Sequence, residues 1–556
     1  MFQVNDLTYQ YPEACAPALQ GINATIKQGE FVLLLGKSGS GKSTFLRSLN
    51  GLVPRFYGGK ISGEITIHEK PLHQLTQRDI VTTVGFVNQD PERQLVLETV
   101  ERELVFGMEN LGIPAAQMKG RLAEVSHLFG LRHLLSRRTS TLSGGEKQLI
   151  ALAGVLTTFP QALLLDEPTS QLDPVHAEEV LHSIRRLNEE WGLTIVLSEH
   201  RVERCFHLAD RIVLFEAGKA VFQGTKHAFI ESCQKEGRGW TQFLPPITRH
   251  FLEHHEPNPP LTVKEARSRT QVQLVKQIKP EQEQEPSDES SHQNWWGKLT
   301  TRFLKEGTSA PGTVAPSPLL GLKKAKIEYD PHKPIVRDLN FNIYAGDKIA
   351  LLGENGAGKS TVAKALAHVV PLTEGMLQWE GEEKPEAFWQ ESWKKIGYLS
   401  QNPNDYLLHD TVEEEMQFAV RHTSAQATEV SKAERVDELL ELVGLTKYRQ
   451  RHPYDLSGGE RQLLALSMIV AQSPDILLLD EPTRGLDLTE KERLIRILSD
   501  LPIQAVLLIT HDVEFAKLFA NRISILYQGE IVADGRPCDI FSNSFSYMPQ
   551  VNKYYR

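Results

Sequence analysis

Short apolar runs recur at matching places in two halves of the chain. Phe31–Leu35, Val84–Val87, Ala162–Leu165 and Leu193–Ser198 have counterparts in Ile349–Leu352, Ile396–Leu399, Ile476–Leu479 and Ala505–Thr510. Runs of four to six mostly apolar residues predict buried strands of a largely parallel sheet. At the N-terminus the pattern changes to alternation. Val4, Leu7, Tyr9 and Tyr11 precede Pro12, and Leu19–Ile26 resumes the alternation, which predicts antiparallel strands joined by a turn. Between the halves, Pro245-Pro246, Pro259-Pro260 and Lys279 to Glu289 break every periodicity. The expected division is a first domain over 1–236, a flexible polar linker over 237–315 and a second domain over 316–556. Inside that linker, Trp295-Trp296 with Arg302-Phe303 forms an aromatic and basic island suited to a membrane surface or to packing back on a lobe.

Each half then carries the same chemistry in the same order. Gly36-Lys37-Ser38-Gly39-Ser40-Gly41-Lys42-Ser43-Thr44 and Gly353-Glu354-Asn355-Gly356-Ala357-Gly358-Lys359-Ser360-Thr361 each follow a predicted strand and open a predicted helix. Glycines let backbone N–H groups curl round phosphate oxygens, and the helix N-terminus adds positive potential. Lys42 and Lys359 suit the β- and γ-phosphates of a nucleotide, and Ser43 and Ser360 suit Mg²⁺. Tyr11 and Tyr329, 31 and 30 positions before those lysines, are candidates to stack on a base, with Tyr9 as a rival to Tyr11.

Gln89 and Gln401 end strands before proline turns, where an amide can complete Mg²⁺ coordination or place water without adding charge. Ser143-Gly144-Gly145-Glu146 and Ser457-Gly458-Gly459-Glu460 pair a natural helix cap with free backbone N–H groups. Asp166-Glu167 and Asp480-Glu481 end apolar runs; the first acid suits Mg²⁺ and the second can polarise attacking water. His200 and His511 stand at the ends of later strands, placed to sense the terminal phosphate. These landmarks repeat at offsets of 311 to 317 residues, as two copies of one domain with small loop changes would. Neither copy has lost a motif residue, so both sites are expected to hydrolyse nucleotide.

Composition narrows the setting. A net charge of -10 gives no bulk attraction to nucleic acid. Cys15, Cys205, Cys233 and Cys538 lack zinc or disulfide spacing and suit a reducing compartment. The N-terminus enters directly into a polar strand pattern rather than a signal peptide, and no apolar run approaches the ~20 residues of a spanning helix.

With these motifs in this order, the sequence resembles ATP-binding cassette (ABC) ATPases, over both halves. The resemblance implies an α/β fold of two phosphate-loop domains, each with a mixed sheet, an antiparallel β subdomain and a helical subdomain. It implies ATP and Mg²⁺ as ligands and two lobes paired head to tail. One site would join Lys42, Ser43, Gln89, Asp166, Glu167 and His200 to Ser457 and Gly459. The other would join Lys359, Ser360, Gln401, Asp480, Glu481 and His511 to Ser143 and Gly145. Asp173 and Asp487 match the loop linking the sites, where Gln171 replaces the family's usual small residue.

The stretches after Gln89 and Gln401, and Glu199-His200-Arg201, are similar to the ATPases of energy-coupling factor (ECF) importers of vitamins and metal ions. That likeness implies an integral membrane coupling subunit and a substrate-binding membrane subunit as partners, at the cytoplasmic face of the cell membrane. The fused order resembles the ATPase linked to uptake of a thiamine precursor, hydroxymethylpyrimidine. Independently, Glu92, Glu98, Glu101, Glu103 and Asp405, Asp410, Glu413, Glu414, Glu415 suggest an acidic groove for basic helices of a partner. Alternatives are a tandem ATPase acting on ribosomes or nucleic acid, and the duplicated ATPase of a sugar importer. The ribosomal reading wants a basic connector, whereas residues 240–320 hold nine basic and nine acidic side chains.

Overall fold

A computed structural model describes residues 1–269 and 317–556, apart from 13, 15, 171, 237–238, 255, 257, 331–332, 422–428, 485, 544–546, 548, 550–552 and 555–556. The expected duplication is visible strand by strand. The first half runs β1 (Phe2–Gln10), β2 (Leu19–Ile26), β3 (Phe31–Gly36), β4 (Lys60–Ile67), β5 (Lys70–Pro71), β6 (Val84–Val87), β7 (Ala162–Asp166), β8 (Thr194–Ser198), β9 (Arg211–Glu216) and β10 (Lys219–Gly224). The second repeats them as β11 (Leu320–Asp330), β12 (Lys333–Ile343), β13 (Lys348–Gly353), β14 (Glu374–Trp379), β15 (Glu382–Glu383), β16 (Ile396–Leu399), β17 (Ile476–Asp480), β18 (Ala505–Ile509), β19 (Arg522–Tyr527) and β20 (Glu530–Gly535). Each lobe has a four-stranded antiparallel sheet, β2-β1-β4-β5 or β12-β11-β14-β15. Each also has a six-stranded sheet, β10-β9-β3-β8-β7-β6 or β20-β19-β13-β18-β17-β16, antiparallel only at its β10 or β20 edge.

Two-residue periodicity explains why these central strands are apolar throughout. Phe31, Leu33 and Leu35 point into a core with Leu163, Leu165, Ile195 and Leu197. Val32 and Leu34 point the other way, with Leu164 and Val196, against Phe45 and Leu46 of the phosphate-loop helix and the antiparallel sheet. Each such side chain contributes roughly 1.5–3 kcal/mol of burial, which fixes the register. Because β3, β7 and β8 run parallel with Asp166 opposite Ser198, Gly36, Asp166 and Ser198 finish at one sheet edge. That edge carries the chemistry. Helices Val100–Asn110 and Ala115–Leu128, and Val412–Arg421 and Glu429–Val443, form the helical subdomains.

One expectation needs correction. The stretch assigned to a flexible linker is folded over its first part. Residues 240–243 form a short helical turn and Pro246–Glu253 a helix, with Pro at its first position, where the missing N–H costs nothing. Trp240 stacks on Phe229 (6.2 Å, 11°) and donates from Nε1 to Glu216 Oε1 at 2.8 Å. Leu244, Ile247, Phe251 and Leu261 are also buried. Apolar positions at 240, 244, 247 and 251 have helical spacing, and that signal was masked by the prolines. The Trp295-Trp296 island lies outside the described residues. Among the described residues no helix is long and apolar enough to cross a membrane, and no cluster of His, Cys, Asp and Glu could hold a metal by itself.

Candidate functional site

The phosphate loops are built by glycines that no other residue could replace. At Gly36 (φ 143°) a Cβ would lie 2.4 Å from Phe215 O, and at Gly353 (φ 156°) 2.3 Å from Leu526 O. Each loop closes round its lysine. Lys42 Nζ donates to Gly36 O (2.7 Å) and Lys37 O (3.0 Å); Lys359 Nζ donates to Gly353 O (2.9 Å) and Glu354 O (2.8 Å). Burial pushes both ammonium groups down, and the nearby Glu167 and Asp166, or Glu481 and Asp480, oppose that shift. Gly39, Gly41, Gly356 and Gly358 take left-handed φ, turning the loop into the helices that open at Lys42 and Lys359.

Ser43 Oγ and Ser198 Oγ both donate to Asp166 Oδ1, at 3.0 and 2.7 Å, while Oδ2 is enclosed without a partner. Asp480 bonds Ser360. Burial raises both aspartates, Asp166 further through Glu167. A hydroxyl beside a buried carboxylate with a spare oxygen is a hard-oxygen set that fits Mg²⁺, whose charge would offset the burial. Ser198 was not singled out by sequence reasoning; its place opposite Asp166 in the sheet was the available signal.

Glu167 and Glu481 sit one residue past their strands with φ of 50° and 51°, a left-handed backbone that costs of order 1–3 kcal/mol in a non-glycine residue. Glu167 N–H bonds Ser198 O and Oγ, and Glu481 N–H bonds Ile509 O, which holds each in place. Their side chains then diverge. Glu167 accepts from Gln89 Nε2 at 2.8 Å and meets His200 Nε2 at 2.8 Å. Burial would raise it, yet His200, Lys42 and Gln89 together bring it below the usual range. Glu481 lies 3.3 Å from His511 Nε2, but that nitrogen is bonded to Asn355 Oδ1 at 2.9 Å, and Glu481 Oε1 has no hydrogen-bond partner. Burial pushes Glu481 up to about 7 against the pull of Lys359. Burial, Lys359 and Arg201 push His511 well down. Gln401 is exposed.

Ser143 and Ser457 cap their helices as expected, each in a reciprocal box with the glutamate three residues on. Gly144 and Gly458 start those helices, and Gly145 and Gly459 are buried. Contacts run between lobes. Asn355 N–H donates to Asp173 Oδ2 (3.3 Å), and Ser38 donates from N to Asp487 Oδ2 (3.2 Å) and from Oγ to Glu490 Oε2 (3.3 Å). A Cβ on Gly145 would lie 3.6 Å from Asn355 Nδ2. A cleft of about 830 Å³ is lined by Lys359, Ser360, Thr361, Glu481 and His511 of the second lobe and by Ser143, Gly144 and Arg201 of the first. Gln171 lies outside the described residues.

The aromatic candidates fall into different settings. Tyr9 is fully buried and donates to Gly58 O at 2.7 Å, so its face is closed to a base. Tyr11 stands edge-on to Tyr9 (4.8 Å), its hydroxyl at 3.2 Å from Thr44 Oγ1 and accepting from Arg47 at 3.3 Å. Tyr329 is 58% exposed.

The acidic-groove expectation is partly overturned. Glu103 and Glu415 are buried; Glu103 accepts from Val96 and Leu97 N–H (2.9 and 2.6 Å), and Glu415 from Leu408 and His409 N–H. Backbone amides attract those two carboxylates inward, so they brace the loop after each glutamine. The tips they brace expose Val96 (68%) and Leu408 (74%).

Comparison with known proteins gives one answer at family level. A family model described as "ABC transporter" matches residues 19–170 and 336–484. ABC transporter ATP-binding proteins of Bacillus cereus (35% identical, 100% of this chain, 95% of theirs), Streptomyces coelicolor (36%, 100%, 97%) and Methanosarcina acetivorans (35%, 97%, 86%) are similar along both halves. A solved structure of cbiO1 from Clostridium perfringens, described as part of the ABC transporter complex cbiONQ, is similar at 23% identity with a TM-score of 0.38, over 41% of this chain and 92% of that one.

Proposed function

We propose that this chain, which belongs to the ABC transporter family and is a tandem ABC ATPase, drives a membrane importer of the energy-coupling type from the cytoplasmic face. Its lobes close head to tail on ATP. In the first site Lys42 holds the phosphates, Ser43 and Asp166 with Gln89 would hold Mg²⁺, and Glu167 accepts the proton of the attacking water with His200 at the terminal phosphate. Lys359, Ser360, Asp480, Gln401, Glu481 and His511 take the same roles in the second. Signature residues Ser457 to Gly459 and Ser143 to Gly145 cap the nucleotide from the opposite lobe, and Tyr11 and Tyr329 flank the base. Bound Mg²⁺ would supply charge to offset that of the phosphates.

The observation that carries the transport reading is the braced tip after each glutamine. Val96 and Leu408 present apolar side chains next to exposed Glu98 and Asp410, a surface suited to basic, partly apolar helices of a membrane coupling subunit. A small substrate-binding membrane subunit would choose the cargo, a vitamin, a vitamin precursor such as hydroxymethylpyrimidine, or a metal ion. Affinity purification from gently solubilised membranes of its native cells tests this. The reading expects a polytopic membrane subunit with the wild type, and its loss with Val96→Asp and Leu408→Asp together. Ribosomes or nucleic acid in its place would overturn transport and leave the tandem ATPase.

A further inference from the structure

The residues following the two histidines carry opposite charge. In the second lobe Asp512 caps the helix Val513–Phe519 by accepting from Phe515 N–H at 2.9 Å, and pairs with Lys491 Nζ at 2.7 Å. In the first lobe the same position is Arg201, and the position matching Lys491 is Ala177, fully buried. The ion pair of the second lobe is therefore absent from the first, where a cation stands at the place of Asp512 and a methyl group at the place of its lysine. Arg201 Nη1 is enclosed and makes no hydrogen bond. Leaving a guanidinium nitrogen dry and unbonded is costly, so such a group marks a place where an acceptor arrives.

The cleft shows where. Arg201 lines it together with Lys359, Ser360, Glu481 and His511, all of the second lobe. Glu481 Oε1, in the same cleft, is likewise enclosed and unbonded. Arg201 acts electrostatically on Glu481, His511 and Asp512 across the lobe boundary. The matching position gives the first site no such cation, because Asp512 is an acid committed to Lys491; Arg484 of the second lobe acts electrostatically on Glu167 and Glu481 alike and so does not distinguish the two sites.

We propose that Arg201 is a catalytic residue of the second site, delivered in trans by the first lobe to a terminal-phosphate oxygen of the nucleotide held on Lys359. This deepens the ATPase reading and rests on it. As the water oxygen bonds to the γ-phosphorus, the bond to the bridging oxygen breaks and its electron pair leaves on ADP. The water proton passes to Glu481. The guanidinium offsets negative charge gathering on the transferred group. Duplication has thus made two sites of unequal design, of which the second takes a guanidinium from the opposite lobe in addition to its signature residues.

Single-site variants test it. Glu167→Gln leaves the second site to be read, and Glu481→Gln the first. With Arg201→Ala added to Glu167→Gln, kcat should fall on the order of 100-fold with KM for ATP changed less than about threefold. With Arg201→Ala added to Glu481→Gln, kcat should stay within about twofold. Arg201→Lys should recover part of the second-site loss, which keeps the test valid if the alanine variant folds poorly. Equal loss in both backgrounds, no loss in either, or a second site silent with Arg201 intact would overturn the proposal. A wild-type chain without ATPase activity would instead overturn the reading on which it rests.

Discussion

The first-lobe and second-lobe sites share every motif and differ in what surrounds them. Around Glu167, Gln89 and His200 both close to 2.8 Å and hold the carboxylate below its usual range. Around Glu481, His511 turns to Asn355, one carboxylate oxygen is unbonded, and burial pushes the group up to about 7. Identical catalytic residues therefore do not imply identical titration. The difference is set by neighbours such as Arg201 and Asn355, where the first lobe's loop carries Ser38 instead.

The largest difference between the lobes is expected at Lys491. Removing it with Lys491→Ala leaves buried Asp512 without the cation bonded to it, Arg201 remaining as its more distant positive neighbour, and should cost about 3–5 kcal/mol in a denaturant titration. The first lobe already has Ala177 there and needs no such pair.

Next in size is a pH effect on the nucleotide-free protein. Glu481 goes from 4.5 unfolded to about 7 folded, so the folded state binds more protons between those values and stability falls as pH rises through that window. Glu481→Gln removes that loss. It should stabilise the chain by on the order of 3 kcal/mol at pH 8 and by little at pH 4.5. Glu167 has the opposite sign. Its lowered value contributes stability above 4.5 that is lost as pH falls, so Glu167→Gln should destabilise at pH 7. Thermal unfolding across pH 4.5–8 separates the two, and parallel curves would erase the distinction.

Two smaller effects should be nearly equal in both lobes, because the backbone contacts match, although Glu415 also meets His409 Nδ1 at 3.0 Å where the first lobe has Leu97. Glu103→Leu and Glu415→Leu each strand two backbone N–H groups and should cost about 2 kcal/mol. Ser143→Ala and Ser457→Ala each remove a helix cap worth about 1 kcal/mol. Chemical denaturation of each pair checks the equality.

Much of this architecture was legible in the sequence because strand burial and phosphate loops leave short-range signatures. The apolar runs ending at Gly36, Asp166 and Ser198 fall on β3, β7 and β8, and the repeat offsets foretold two matching sheets. What escaped depended on long-range contacts. Trp240 packs because Phe229 and Glu216 wait for it, which no local pattern states. Glu103 and Glu415 read as surface charge, since their backbone donors only converge once the loop folds. Tyr9 and Tyr11 are indistinguishable along the chain, yet Gly58 takes the hydroxyl of one and Thr44 meets that of the other.

The two sites are unequal, and turnover against pH in single-site variants measures that inequality. With Glu481→Gln, first-site ATPase should be nearly flat from pH 6 to 8. With Glu167→Gln, second-site ATPase should rise across the same range, because burial raises the Glu481 carboxyl, which must lose its proton before it can accept one from water. Two superimposable profiles would contradict the account and return the chain to a pair of equivalent sites.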